Sequence, residues 1–573
     1  MKLLTIALLP AAMALAAGPV AAQGFIRSAA AEPGASAPAT AADYMNCDGY
    51  AAPKGKSDGI ARETFLFGAA SRSADIRRKD IAIFGERGLA ACDRALAGAQ
   101  LVDAFWLRRA NLLQAKAVHA IGANQPELAL TLAAESDAVG TAHRDPYFAQ
   151  SIGLGNQAVR AYALIALGRR DEAIAAIDGL AKSRPLAQSI RALEMQLRLY
   201  LDPAFMTHAS ALTSAIPLSP ENGRPLFWMH FLNGRYDEAR VVAPTISFDL
   251  PKQRGGWTLR GADRDALEQI GVRASVAGAW AYAESVAGHH DRAKALLDEA
   301  GTELDEIMAP PPPREDGRPP KKQDVEDHAR RLPYARKARE ELGLWNAAIA
   351  FRPRIAILPA AESEAEITAK RLNSLPIAPD ILTIMPFDTP EQRKENETIL
   401  ASIRGRIDVT RTDALKLSAE ALMAALPRPE TAKVVPTLKP AGDGYFLSDS
   451  GLSRDREGRS DIWTVRYTHK VAPIAAVEEL AMLGAAQTAQ REGFDSMLLL
   501  NRMSISRTTN VSGLYIGSYQ LNSGYEAQMR VRFVNAAALP ADIADAGWRL
   551  VPVRQVIEEL SDRYKAGGLT IAW

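Results

Sequence analysis

Cysteine is scarce in this chain: its 573 residues hold two, Cys47 and Cys92, and its eight histidines are scattered. Zinc requires clustered His, Cys or carboxylate ligands at fixed spacing, and no H-E-x-x-H occurs. The adjacent His289 and His290 fall in a predicted interhelix turn and read as a solvated pair. No G-x-S-x-G elbow is present; the nearest fragment, Ser450-Gly451-Leu452-Ser453-Arg454, lacks the second glycine and reads as a polar loop. No P-loop or dinucleotide fingerprint occurs, so no nucleotide cofactor is expected. Net charge is also missing: 68 basic residues face 67 acidic ones, and 67 face 67 once Lys2 is set aside. A neutral chain has no overall pull toward nucleic acid or anionic lipid. Beyond the N-terminus no run of 18 apolar residues appears, which argues against a membrane span. Carboxylates are plentiful and the sequence does not say which converge, so a glycosidase-type pair stays open.

What is present begins with Lys2, an apolar run Leu3–Ala17, and Val20-Ala21-Ala22. That order predicts a secretory signal over 1–22, cleaved after Ala22. The first cysteine is Cys47, so a lipid anchor is not expected. Residues 23–45 are rich in Ala, Ser, Pro and Gly and predict a flexible leader. In an exported chain an even cysteine count suggests a Cys47–Cys92 disulfide, two separate buried thiols being the other reading. From about 60 to 300 the chain is Ala and Leu rich with helical periodicity, as at Trp106, Ala110 and Leu113. Pro310–Pro313, followed by Pro319 and Pro320, predicts an extended loop over 301–325. Helix is predicted again near 328–351.

A recurrent turn punctuates the helical region. It reads glycine, two residues, Asp or Asn, one residue, alanine. The copies are Gly168-Asp171-Ala173, Gly234-Asp237-Ala239, Gly288-Asp291-Ala293 and Gly343-Asn346-Ala348. Glycine ends a helix in the left-handed conformation. Asp or Asn is then expected to cap the next helix, and alanine to let paired helices approach. A fifth match, Gly153 to Ala158, is expected either to open the helix that Gly168 closes or to be chance. These copies resemble tetratricopeptide (TPR) repeats. In the best one Ala161, Gly168, Ala173, Ile177, Leu180 and Pro185 stand at the family's small, turn, small, apolar, apolar and proline positions. Phe227 and Arg336 replace small residues elsewhere, and the alanines lie 66, 54 and 55 residues apart rather than about 34. The resemblance covers about 100–350 and implies a divergent helical-hairpin stack, within a TPR-like helical domain expected over 46–350. Trp106, Tyr162, Trp228 and Trp280 are candidates for a peptide groove, with interhelix core as the other reading.

In 351–455, Arg354–Leu358 and Ile381–Met385 suggest strands around a helix over Ser363–Leu372, where Ser363 and Glu366 have capping-box spacing. A βαβ unit or further hairpins both fit. Over 456–573 the pattern changes. Trp463–Thr468 and Ala527–Phe533 alternate, Met497–Leu500 reads as a buried strand, and Ile474–Gln490 and Val553–Tyr564 read as helices. That order implies a small α+β sandwich. Leu480–Phe494, ending Glu492-Gly493-Phe494, resembles a domain of bacterial envelope proteins of poorly defined role.

The sequence therefore predicts a mainly α protein: a TPR-like helical solenoid followed by a C-terminal α+β domain. The expected function is a periplasmic scaffold that binds a protein or peptide, without cofactor, metal or catalysis of its own. The other readings are an envelope hydrolase with its active site in 352–573, and a purely architectural protein.

Overall fold

The computed structural model describes residues 39–60, 63–65, 70–72, 81, 83–201, 216–232, 234–246, 260–314, 316–355, 390–391, 394, 417–431, 436, 438, 450–458, 460–513 and 517–564. The predicted signal, most of the leader and most of the suggested βαβ segment lie outside them. The chain forms two compact units. Unit 1 takes Met1–Phe205, Pro217–Ser219 and Arg411–Trp573; unit 2 takes Met206–Ile216 and Pro220–Thr410. The units cross the predicted boundaries at 350 and 455, because the first helices and the C-terminal module share one body.

In unit 1, α1 (Ala41–Asp48) starts inside the predicted leader. Thr40 and Asp43 cap it reciprocally: the Asp43 N–H donates to Thr40 Oγ1, and the Thr40 N–H to the Asp43 carboxylate. Cys47 and Cys92 are bonded, tying α1 to α2 (Glu86–Leu96). Arg108, on α3 (Trp106–Gly122), is fully buried beneath α1. It pairs with Asp48 at 2.9 Å and lies 5.5 Å and 5.4 Å from the Tyr44 and Tyr50 rings. Then come α4 (Pro126–His143), the short α5 (Pro146–Gln150), α6 (Ile152–Ala166), α7 (Arg170–Ser183) and α8 (Gln188–Leu201). Successive long helices pack pairwise, and α6 also touches α3 and α8. A buried polar ladder fixes their register: Gln114 donates to Asn156 at 3.0 Å, Asn156 to Ser136 at 2.9 Å, and Ser136 to the Ala110 carbonyl at 2.9 Å.

Three of the four glycine turns join packed helices. Gly168, Gly234 and Gly288 have φ of 71°, 69° and 86°. In each, the next residue's N–H returns 2.9 Å to the carbonyl five residues back: Arg169 to Leu164, Arg235 to His230, His289 to Glu284. α6 indeed opens beside Gly153. The alanines behave as expected, with Ala173 and Ala239 fully buried and Ala293 nearly so. The aspartates do not. Arg169, Arg235 and His289 occupy the cap positions without side-chain caps, and Asp171, Asp237 and Asp291 fall within the first turn. There they meet the positive end of the helix dipole instead of capping it.

The fourth copy is not a turn. Gly343, Asn346 and Ala348 lie inside a continuous helix, Lys322–Ile355. Ala335, Ala338, Leu342, Trp345 and Ala348 bury one helical stripe across the glycine, so packing overrides the local stop signal. An unforeseen turn stands elsewhere. Asn124 has φ of 58°, Gln125 N–H returns 2.8 Å to the Ala120 carbonyl, and Ala129 is fully buried. Asparagine here takes the glycine's place between α3 and α4. Gly343→Ala should therefore stabilise by about 0.5–1 kcal/mol, since a Cβ there meets nothing within 4 Å. Gly168→Ala should destabilise by about 1–2 kcal/mol through its left-handed φ. Urea melts of both variants check the opposite signs.

Unit 2 holds α9 (Gly223–Leu232), α10 (Tyr236–Val242), α11 (Arg260–Val286), α12 (His290–Met308) and α13 (Lys322–Ile355). α12 runs into the predicted proline loop as far as Met308, and Arg354 and Ile355 end α13 rather than opening a strand. Neighbours pack in sequence, and α11 also contacts α13. Phe231 sits at their centre, 5.3 Å from Tyr236, 6.1 Å from Tyr282 and 5.7 Å from Trp345. Phe227, where TPR repeats prefer a small residue, is fully buried beside it.

Unit 1 resumes with α14 (Ala419–Ala425) and ends in a five-stranded antiparallel sheet of order β3-β4-β6-β5-β7. These strands are β3 (Gly451–Arg456), β4 (Ile462–His469), β5 (Ser496–Gly513), β6 (Gly517–Val534) and β7 (Leu550–Pro552). A separate hairpin of Glu63–Phe65 and Ala70–Arg72 gives β1 and β2. The predicted polar loop at 450–454 is thus mostly edge strand β3. α15 (Ile474–Arg491) and α16 (Val553–Tyr564) pack with the sheet over Val465, Tyr467, Val531 and Phe533. Glu492-Gly493-Phe494 ends α15 with another left-handed glycine, φ 83°.

Candidate functional site

The most concentrated chemistry in unit 1 lies where α7 meets the C-terminal module. Arg184 follows α7 directly, ahead of Pro185, and its side chain is fully buried. Its guanidinium grips Glu479 of α15 through Nε at 3.2 Å and Nη2 at 2.8 Å. Nη1 donates to Glu430 at 2.6 Å and to the Gln150 carbonyl at 3.2 Å. Glu479 also accepts from Tyr564 Oη at 2.6 Å and from Arg563, which in turn donates to the Ser183 carbonyl. Arg is suited to this place because its rigid fork satisfies two carboxylates at once.

Burial pushes both carboxyl pKa values up, and their partners decide the outcome. For Glu430, burial outweighs Arg184 and the pKa stays raised. For Glu479, burial is overcome by Arg184, Arg563 and the Tyr564 hydroxyl, and the pKa falls. The Tyr564 phenol is held well above its ordinary value by burial and by Glu479. Next to this cluster, Glu478 accepts from the Ser189 N–H at the start of α8 and from Ser504 of β5. Arg502 donates to the Leu186 and Leu218 carbonyls. The Arg184 cluster is a fastener: the side chains of Glu430 and Glu479 are 3% and 0% exposed, leaving a substrate no access to them.

Of the proposed groove aromatics, Trp106 and Tyr162 belong to unit 1 and Trp228 and Trp280 to unit 2. Tyr162 is buried, stacks on Tyr200 at 4.7 Å and donates to the Leu417 carbonyl at 2.7 Å. Trp106 stacks on His143 at 4.4 Å. Trp228 packs edge-on against Phe227 and Phe231. Trp280 donates to Glu284 at 3.0 Å and carries the Arg292 guanidinium over its ring. His289 Nδ1 lies 2.8 Å from Glu284, and His290 Nδ1 lies 3.4 Å from Ser285 Oγ. Among the described residues no three His, Cys, Asp or Glu side chains are grouped to hold a metal, and no helix is long and apolar enough to cross a membrane. A shallow open hollow between α2, α3 and α4 has Leu96, Leu113 and Val139 in its lining, with Asp93, Arg109, Lys116 and Glu135 around them.

His119 supplies a pH dependence. It is fully buried, with Nε2 2.8 Å from the Cys47 carbonyl and no partner for Nδ1 among the described residues. The carbonyl accepts, so Nε2 carries the proton. Burial lowers the His119 pKa, and hydrogen bonds to the Cys47 and Asn46 backbone offset this only in part. The unfolded chain takes up a proton near pH 6.5 and the folded one does not. The neutral ring therefore costs nothing above pH 6.5, and stability falls below it until the folded pKa is reached. The loss is up to about 1.4 kcal/mol per pH unit. Urea melts between pH 7 and pH 5 should show a steeper decline for the wild type than for His119→Gln.

No family model, no curated protein and no solved structure matches the chain.

Proposed function

We propose that the chain is an exported periplasmic scaffold of TPR-like hairpins that binds a protein or peptide partner and has no catalytic activity of its own. The observation that carries this reading is the open hollow between α2, α3 and α4, whose lining mixes Leu96, Leu113 and Val139 with Arg109, Glu135 and the paired Asp93 and Lys116. Such a lining suits a peptide that buries an apolar side chain while its charges meet those of the lining. The paired helices behind it, locked by left-handed turns and buried alanines, support a rigid surface for binding. The ordered signal features of the first 22 residues support export, and the Cys47–Cys92 bond is compatible with an oxidising compartment.

The test is affinity capture by the mature protein from envelope extract, alongside Val139→Asp, which places a charge in the hollow. A partner held by the wild type and lost from the variant, with the circular dichroism unchanged, is the expected result. Identical capture by both proteins, or reproducible capture of nothing, would remove this reading.

A further inference from the structure

Residues 417–430 lie on the first helices of unit 1 in the manner of a bound peptide. α14 spans seven residues, too few to hold a helix by itself. It is capped by Ser418 and packs on α3, where Ala419 Cβ comes 3.3 Å from the position a Cβ on Gly122 would take. Leu417, Ala419, Leu422, Met423 and Leu426 enter the same core as Leu112, Val118, Leu154 and Ala158 of α3 and α6. The chain leaves the helix at Leu426, which is extended, and continues as Pro427-Arg428-Pro429-Glu430, all five buried. Two prolines remove two backbone donors that burial would otherwise leave to satisfy. Polar anchors hold both ends: Tyr162 Oη donates to the Leu417 carbonyl, and Arg184 grips Glu430. A short amphipathic helix, a proline strip and an acidic anchor are the means by which helical receptors hold linear motifs.

We infer that the face made by α3, α6 and the α7–α8 corner is a linear-peptide receptor, and that residues 417–430 of the same chain are its resident, releasable ligand. This rests on the binding function proposed above and adds the chemistry of a competing partner: a short apolar helix, then Pro-x-Pro, then Asp or Glu. The ionic cluster is arranged for release. When Glu430 leaves, Arg184 keeps both oxygens of Glu479 and so is not stranded as a lone buried charge. Glu430 is also the acid whose ionised form is the less favoured of the two.

Hydrogen exchange of the full-length oxidised protein tests this directly. Amides of 419–426 should exchange at least roughly 100-fold faster than those of α3 and α6 beneath them, as a locally opening segment does. Equal protection would make the segment permanent core and overturn the inference. A labelled synthetic peptide spanning 415–432 should bind the full-length Glu430→Gln variant at least about tenfold more tightly than wild type, because the resident segment is loosened. Failure of that peptide to bind a variant whose own 419–426 amides exchange freely would also overturn it. A capture experiment that finds no partner would count against the proposed function and leave these two results untouched.

Discussion

Arg184→Met should lower the unfolding free energy of unit 1 by about 3–5 kcal/mol, the usual cost of removing one partner from a buried ion pair. Methionine fills much of the volume but takes the Arg184 guanidinium away from Glu430, and leaves Arg563 and Tyr564 to hold Glu479. Arg184→Lys should recover little, because one ammonium cannot reproduce a fork that reaches Glu479 with two nitrogens and Glu430 with a third. Glu479→Gln should cost more than Glu430→Gln, since among the described residues Glu479 pairs with Arg184 and Arg563 and Glu430 with Arg184. Hydrogen exchange of the α15 amides in rising urea reads this unit separately from unit 2. A change below about 1 kcal/mol for Arg184→Met would mean that the cluster contributes no net stability, as some buried pairs do not.

Cys47→Ala with Cys92→Ala should cost unit 1 about 4 kcal/mol, the loop-closure entropy of a bridge across 45 residues. Both sulfurs are fully buried, and alanine introduces no polar group. The bridge holds α1 where Asp48 meets Arg108 and the Cys47 carbonyl meets His119. Without it the loss should appear first as faster exchange in α1 and α2, with α11–α13 of unit 2 unaffected. Reduced wild-type protein should behave as the double variant does. Unchanged exchange in α1 would show that Arg108 and the capping box suffice to hold it.

The sequence revealed features whose cause is local. A left-handed φ penalises side chains, so Gly168, Gly234 and Gly288 marked their turns. Strict alternation marked β4 and β6, and the cysteine pair marked its own bond. Local signals failed where packing chose otherwise. Gly343 looks like Gly288 along the chain, yet Leu342 and Trp345 bury on one stripe of α13 and carry the helix through it. Asn124 does a glycine's work in a less conspicuous residue. β3 is polar and lacks a clear alternation to read. The Arg184 cluster had no local signature, since Glu430, Glu479 and Tyr564 stand 246, 295 and 380 residues away. Nothing in the local sequence marks Glu479 off from the chain's other carboxylates, and the helix that carries it is covered along most of its length.

Unit 1 is assembled from both sides of an intervening unit, and that imposes an order on biosynthesis. When a growing chain has reached residue 205, α3, α6 and α8 exist but α14 and the C-terminal module, which complete their cover, have not been made. At about 5–20 residues per second, the wait for Arg411 and beyond lasts roughly 10–40 s. Throughout it Arg184 has no carboxylate to meet and Tyr162 no carbonyl. A holding chaperone during synthesis, or slow maturation after it, is the natural demand of such a chain, and a stop codon before residue 430 would leave the first half permanently unfinished.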